Sequence, residues 1–192
     1  MIGKKTLVIL GISFIAFILA TAGAFAFKPG TILQVKNLKS CKNCDLSRAD
    51  LTSMDLSEAE LQGANMSGAN FSTANLGRAN LTNADMAGAR LSNVNLAGAK
   101  LTDTDLTGAN LIKATLTGAD LTNANLTNAK LTDARLSDAN LTNANLTGAR
   151  MNNAVLTGAN LTGANLTGAR MDGVRWLDGT MCNEGSVGEC RQ

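Results

Sequence analysis

The sequence contains no histidine and no tyrosine, a single tryptophan (Trp176) and a single proline (Pro29). Histidine is the side chain most often used for proton transfer near neutral pH, so its absence argues against an enzyme. No catalytic, cofactor-binding or metal-binding residue is assigned, and no cofactor is expected. Excess charge of either sign is also lacking. Seventeen Lys and Arg face fifteen Asp and Glu, and two of the lysines, Lys4 and Lys5, belong to the extreme N-terminus. The rest of the chain is neutral. A nucleic-acid binder needs a concentrated basic footprint to displace counterions from phosphates, and this composition does not supply one. It argues equally against a strongly acidic mimic of DNA.

What the N-terminus does have is a charged start, Met1-Ile2-Gly3-Lys4-Lys5, and then an apolar run from Thr6 to Phe27. That is the layout of a signal peptide, with Ala24-Phe25-Ala26 as the best-placed cleavage site before Lys28-Pro29-Gly30. The run also matches the roughly 20 residues a bilayer-spanning helix requires, so residues 1–27 are read as a signal peptide or an uncleaved membrane anchor. In both cases the positive-inside rule carries everything after Lys28 out of the cytoplasm. Four cysteines in two close pairs suit an oxidising compartment.

From Leu46 onward an apolar residue falls at every fifth position, through Leu51, Leu56, Leu61, Met66 and Phe71 to Met171 and Trp176. Two positions earlier sits a small residue, Ala in most units, with Met54, Val94, Thr104 and Val174 as exceptions. A spacing of five smears apolar side chains around a helical cylinder, so a helix is excluded. Period-two alternation holds only within each Ala-x-Leu triplet, so the chain extends briefly and then turns, once per unit. Gly or Asn at the last place of the unit, as in Gly63, Gly68, Asn123 and Asn128, suits a turn that needs positive φ. Four corners close a square coil of twenty residues with Leu and Ala turned inward. About seven coils at a spacing of ~4.8 Å make a rod on the order of 30 Å long.

The unit Ala-(Asn/Asp)-Leu-(Thr/Ser)-(Gly/Asn), as in Ala144-Asn145-Leu146-Thr147-Gly148 and Ala159-Asn160-Leu161-Thr162-Gly163, resembles the pentapeptide-repeat family. That resemblance implies an all-β fold, a right-handed quadrilateral β-helix. It does not fix function. The chain then divides into residues 1–27 (signal peptide or anchor), 28–44 (N-terminal cap), 45–176 (repeat β-helix) and 177–192 (C-terminal cap loop).

An open solenoid needs covered ends. Cys41 falls at the Leu phase and Cys44 at the Ala phase, so both are expected to face the interior of the first coil. A cap disulfide or two buried thiols fit better than redox chemistry, because a redox Cys-x-x-Cys wants a thioredoxin-like βαβ context absent here. Residues 31–39 are expected to form a short amphipathic helix or strand over the first coil. At the other end Trp176 is expected to lie as a lid over the last coil, and a Cys182–Cys190 bridge would close a turn-rich loop.

Every fourth unit returns to the same face, so the residue before each Leu can be followed face by face. One face carries Arg90, Lys130, Arg150 and Arg170, and the next carries Arg135 and Arg175. Their shared edge is a candidate interaction patch, basic toward the C-terminal half. The first coil holds Asp45, Asp50, Asp55, Glu58 and Glu60 against Arg48, which predicts one acidic and one basic end and opens the option of head-to-tail pairing. The alternative is that scattered outward charge merely keeps the rod soluble. Thr82, Thr102, Thr122, Thr142 and Thr162 share a face, a weak resemblance to ice-binding Thr ladders.

The favoured reading is a non-enzymatic structural or protein-interaction module presenting polar faces to an unidentified protein partner, with a membrane tether through the N-terminal segment as an option. The family resemblance points to exported, cyanobacterial-type members, in the periplasm or thylakoid lumen. It also offers an alternative, a DNA-mimicking inhibitor of a type II topoisomerase such as gyrase, but that role wants a cytoplasmic, acidic rod. Redox or small-molecule binding through the cysteines ranks lower. Partner identity, oligomeric state and anchoring stay open.

Overall fold

The structure, a computed structural model, describes residues 39–192. The expected N-terminal signal or anchor, and all of the 31–39 cap segment except Lys39, lie outside the described residues. From Ser40 onward the backbone winds as a four-sided coil in which residue i pairs in parallel with residue i+20. Four ladders result, and they define the faces of the rod. The first face runs from Ser40 to Asn160, the second from Asp45 to Asn165, the third from Asp50 to Arg170 and the fourth from Asp55 to Arg175. Each side of the square contributes one ladder residue, too short a stretch to count as a strand.

The hydrogen bonding shows why five residues suffice for one side. The ladder residue binds the coil before it through both of its backbone groups. Asn65 N–H donates to the Cys44 carbonyl (2.9 Å), and its own carbonyl accepts from Leu46 N–H (2.7 Å). The next corner is a tight turn closed by Ala49 N–H donating to the Leu46 carbonyl (3.0 Å). Its second residue points its N–H upward, as Arg48 does to the Ser67 carbonyl at 2.9 Å. Sides and corners are therefore both bonded to the next coil.

That second corner residue has positive φ throughout, at +64° in Gly63 and +57° in Asn123. Positive φ is also imposed on side chains that disfavour it, including Arg48, Glu58, Lys113 and Thr73. For these residues the stacked coil overrides local preference.

Every fifth residue from Leu46 to Leu156 is fully buried, and the Ala column lies beside it in the same core. Two exceptions in the small-residue column behave differently. Met54 is only partly buried, whereas Thr104 is buried with its hydroxyl donating to the Leu81 carbonyl at 2.8 Å.

At the N-terminal end a disulfide joins Cys41 to Cys44 across the first corner (Cα–Cα 5.5 Å). Cys41 is buried and Cys44 is partly so. At the other end the chain leaves the lattice after Trp176, turns at Gly179 (φ +88°) and comes back antiparallel. Met181 pairs with Arg175 and Val187 with Arg170. A Cys182–Cys190 disulfide ties this tail (Cα–Cα 5.0 Å), and Cys182 and Ser186 are buried beneath it. Trp176 is half-buried against the core and donates its N–H to the Thr180 carbonyl (2.7 Å). It shares the covering of the last coil with the tail, which pairs with the last rung of the third and fourth faces.

Candidate functional site

Because the residues on either side of a ladder residue point inward, the ladder residue itself must point out. The ladders therefore fix which outward side chains become neighbours. On the third face Lys130, Arg150 and Arg170 occupy consecutive rungs, with Arg90 two rungs below Lys130. The fourth face places Arg135 and Arg175 beside them. Neighbouring rungs are separated by the inter-strand distance of ~4.8 Å, too close for cations to be indifferent to one another. All six side chains are exposed.

The structure adds Lys113, exposed at the corner between these two faces. It fills the gap left by Asn110 and Thr115 between Arg90 and Lys130. Following only the residue before each Leu misses it, since it comes two places after Leu111. Its charge at a corner otherwise filled by Ser, Thr, Asn, Asp or Gly is the available signal.

Among the described residues, none of these seven cations is within ion-pair distance of a carboxylate. The ion pairs among the described residues are Lys39–Asp55 (3.1 Å), Lys42–Glu60 (3.4 Å), Arg78–Glu58 (3.6 Å) and Arg191–Glu189 (3.7 Å). Asp133 and Asp172 lie near the basic edge, but Asp172 is held by Asn152 Nδ2 (2.8 Å) and Gly185 N–H (2.6 Å).

The acidic end is less acidic than its residue count suggests. Three of its five carboxylates, Asp55, Glu58 and Glu60, have basic partners, and two of those, Lys39 and Lys42, come from the very start of the rod. Hydrogen bonds from the Ser57 hydroxyl and N–H, helped by Lys39, bring the Asp55 carboxyl down to about 2. Gln62, with Lys42, lowers Glu60. The charge asymmetry of the rod thus rests on the unpaired basic edge.

The first and second faces carry a different pattern in the C-terminal half. Asn140 Oδ1 accepts from the Thr142 N–H (3.2 Å) and hydroxyl (2.6 Å), while its Nδ2 donates to Thr122 Oγ1 in the coil below (2.8 Å). The same arrangement links Asn160 with Thr162 and Thr142. The Thr hydroxyls of the supposed ice-binding ladder are therefore engaged with Asn and Asp neighbours.

All four cysteines are in disulfides, and among the described residues no cluster of potential metal ligands occurs. A shallow notch of about 250 Å³ lies where Gly77 and Ala97 leave space beside Asn75 and Asn95. It is open to solvent and rimmed by the Glu58–Arg78 pair.

Comparison with known structures finds pentapeptide-repeat proteins. A protein of heterocyst differentiation regulation, HetL from Nostoc sp. strain PCC 7120, is 26% identical, with 81% of this chain and 99% of that one aligned and a TM-score of 0.30. A protein from the thylakoid lumen of Arabidopsis thaliana is 27% identical over 77% of this chain and 84% of its own, with a TM-score of 0.29. The plasmid-mediated fluoroquinolone resistance protein QnrB1, in one form, is 22% identical over 70% and 82%, with a TM-score of 0.43. No curated protein matches the sequence. The decisive comparison is with the Pentapeptide repeats family itself, which matches residues 40–72, 74–111, 99–138 and 139–175. With most of its length in that match, and with a four-sided coil of five-residue sides, this chain belongs to the pentapeptide-repeat family, whose fold is the right-handed quadrilateral β-helix.

Proposed function

We propose that the chain is a non-catalytic docking rod that works outside the cytoplasm and binds an acidic protein partner along the edge between its third and fourth faces. One observation carries this reading. Seven exposed cations, from Arg90 to Arg175, share that edge, and none has a carboxylate partner among the described residues. Like charges held on a rigid lattice repel one another, and a complementary acidic surface relieves that repulsion. The rod needs no ordering on binding, because its backbone is already fixed by ladder bonds.

Export is supported by the apolar N-terminal segment with Lys4 and Lys5 before it, and by the two disulfides. On this reading residues 1–27 direct or tether the chain, 28–44 and 177–192 close the ends, and 45–176 form the working surface. The periplasm or the thylakoid lumen is the compartment that fits. An acidic DNA mimic is disfavoured by the sign of the unpaired edge.

The test combines location with charge reversal. Fractionation and N-terminal sequencing of the protein from its cell should find it outside the cytoplasm. Cross-linking in that compartment should capture a partner with the native chain and lose it with Arg150→Glu/Arg170→Glu, and added salt should weaken capture. Capture that is indifferent to both would remove the basic edge as the docking surface.

A further inference from the structure

The unpaired cations do not stand among polar neighbours alone. Along the third face Lys130, Arg150 and Arg170 are followed by Val187 of the tail, and along the fourth Arg135, Val155 and Arg175 are followed by Met181. Burial alternates along the tail. Cys182 and Ser186 face the core, so their neighbours Met181 and Val187 point outward beside the arginines they pair with. These two are the exposed large hydrophobic residues among the described ones, at 51% and 50%.

Large aliphatic side chains are otherwise scarce on the outside. Among the described residues, the outward and corner positions of the coils hold Ile112 beside Lys113, Val155 between Arg135 and Arg175, and Leu177, which packs back onto the core. Apart from Leu177, apolar and unpaired basic side chains therefore share one edge. Val155 also breaks a local rule. Where Asn precedes the core residue, as Asn140 does, its Oδ1 accepts from the hydroxyl two places on. Val155 has no oxygen to offer, and Thr157 Oγ1 is left buried with no partner among the described residues. An asparagine there would remove that cost, so the stacking of the coils does not explain the valine.

We infer that the acidic partner docks an amphipathic α-helix along this edge, an inference that rests on the basic edge being the docking surface. Its carboxylates lie over the cations, and its aliphatic side chains lie over Val155, Met181 and Val187. Spacing selects the helix. Counted from Lys130, the rungs of Arg150, Arg170 and Val187 lie ~4.8, ~9.6 and ~14.4 Å along the rod. Helix residues i+3, i+7 and i+10 rise ~4.5, ~10.5 and ~15 Å above residue i and stay on one face. Same-face side chains of a strand step by ~6.7 Å, which places the first of them between rungs.

The mixed chemistry of the edge excludes a plain polyanion as its match. A nucleic acid would answer the cations and leave the aliphatic side chains uncovered. A helix stripe can carry acidic and apolar residues in succession. Carboxylates at i, i+3 and i+7 meet Lys130, Arg150 and Arg170, and an aliphatic residue at i+10 meets Val187. One rung before Lys130, at the level of Asn110, Ile112 offers a second apolar contact.

The experiment measures binding of labelled, Ala-rich helical peptides of about 20 residues to the purified full chain. Each peptide carries the glutamate stripe, flanked at both ends by Leu in one peptide and by Ser in the other. The Leu peptide should bind about 10-fold more tightly. Met181→Ser/Val187→Ser should abolish most of that gain and melt at the native temperature, since both residues are exposed. Val155→Asn should reduce the gain while melting at or above the native temperature, a pairing of effects that a purely structural role for Val155 does not give. Arg150→Glu/Arg170→Glu, or added salt, should weaken both peptides. Equal binding of the two peptides overturns the inference and leaves the basic edge standing, whereas no salt-sensitive binding of either overturns both. The inference also falls if the same residues in alternating, strand-like order bind as well as the Leu peptide, if the gain survives in both variants, or if phosphatidylglycerol vesicles bind more tightly than the Leu peptide.

Discussion

Thr104 Oγ1 donates to the Leu81 carbonyl, 2.8 Å away in the coil below, where Ala84 N–H already closes the corner onto the same oxygen at 3.0 Å. This side-chain bond lets a hydroxyl replace alanine in the dry interior, since a buried polar group without a partner is costly. Thr104→Val keeps the shape and removes the bond, leaving the carbonyl its backbone donor. The expected loss is about 0.5–1.5 kcal/mol in urea unfolding. A loss above that range would mean that Thr104 does more than satisfy itself.

Leu121 lies in the middle of the apolar column, fully buried between the Leu101 and Leu141 rungs. Leu121→Ala should cost about 2–5 kcal/mol, because the ladder bonds above and below limit collapse into the cavity. Leu121→Asp should unfold the middle of the rod, since no cation can reach a carboxylate there. Thermal unfolding monitored by circular dichroism reads both, and an unchanged midpoint for the Asp variant would contradict the inward placement of the column.

Thr73 holds φ at +60° although it is β-branched, with its hydroxyl 2.7 Å from Ser53 Oγ. Asn93 occupies the same corner one coil higher at φ +57°. Asparagine tolerates the left-handed region far better than threonine. Thr73→Asn should therefore raise stability by about 0.5–1 kcal/mol, and Asn93→Thr should lower it by a similar amount. Opposite signs in the two unfolding midpoints are the check.

The repeating part of this molecule was readable because one physical requirement recurs every five residues. Leu and Ala must be dry, and the corner must accept positive φ, so Leu46 through Leu156 and Gly63 through Asn128 announce their places. The outward columns follow from the same arithmetic, which is why Arg150 and Arg170 could be assigned to one face. What could not be read depends on contacts outside the period. Lys39 reaches Asp55 and Lys42 reaches Glu60 across a coil, so the charge of the first coil looks larger in sequence than in space. Lys113 stands off the column that the period picks out. The reversal of the tail after Trp176 follows no repeat, so its pairing with Arg170 and Arg175 was not visible.

Asp55 gives the first coil a pH dependence with a definite sign. Its folded carboxyl titrates at about 2, held down first by the Ser57 hydroxyl, then by Ser57 N–H and Lys39, whereas an unfolded aspartate titrates near 3.8. A carboxyl lowered on folding stabilises the native state above its unfolded value, and that contribution disappears as pH falls through its folded value. The clasp of Lys39 on Asp55 and Ser57 should thus hold at pH 5 and weaken progressively between about pH 4 and pH 2. Asp55→Asn removes the titrating group while retaining a carbonyl oxygen for Ser57. Hydrogen exchange at Glu60, whose N–H donates to the Lys39 carbonyl at 2.8 Å, reports on this segment. In the native chain its exchange, corrected for intrinsic pH dependence, should accelerate through that window, and in the variant it should not. Identical profiles for the two proteins would show that Asp55 does not hold the start of the rod in place.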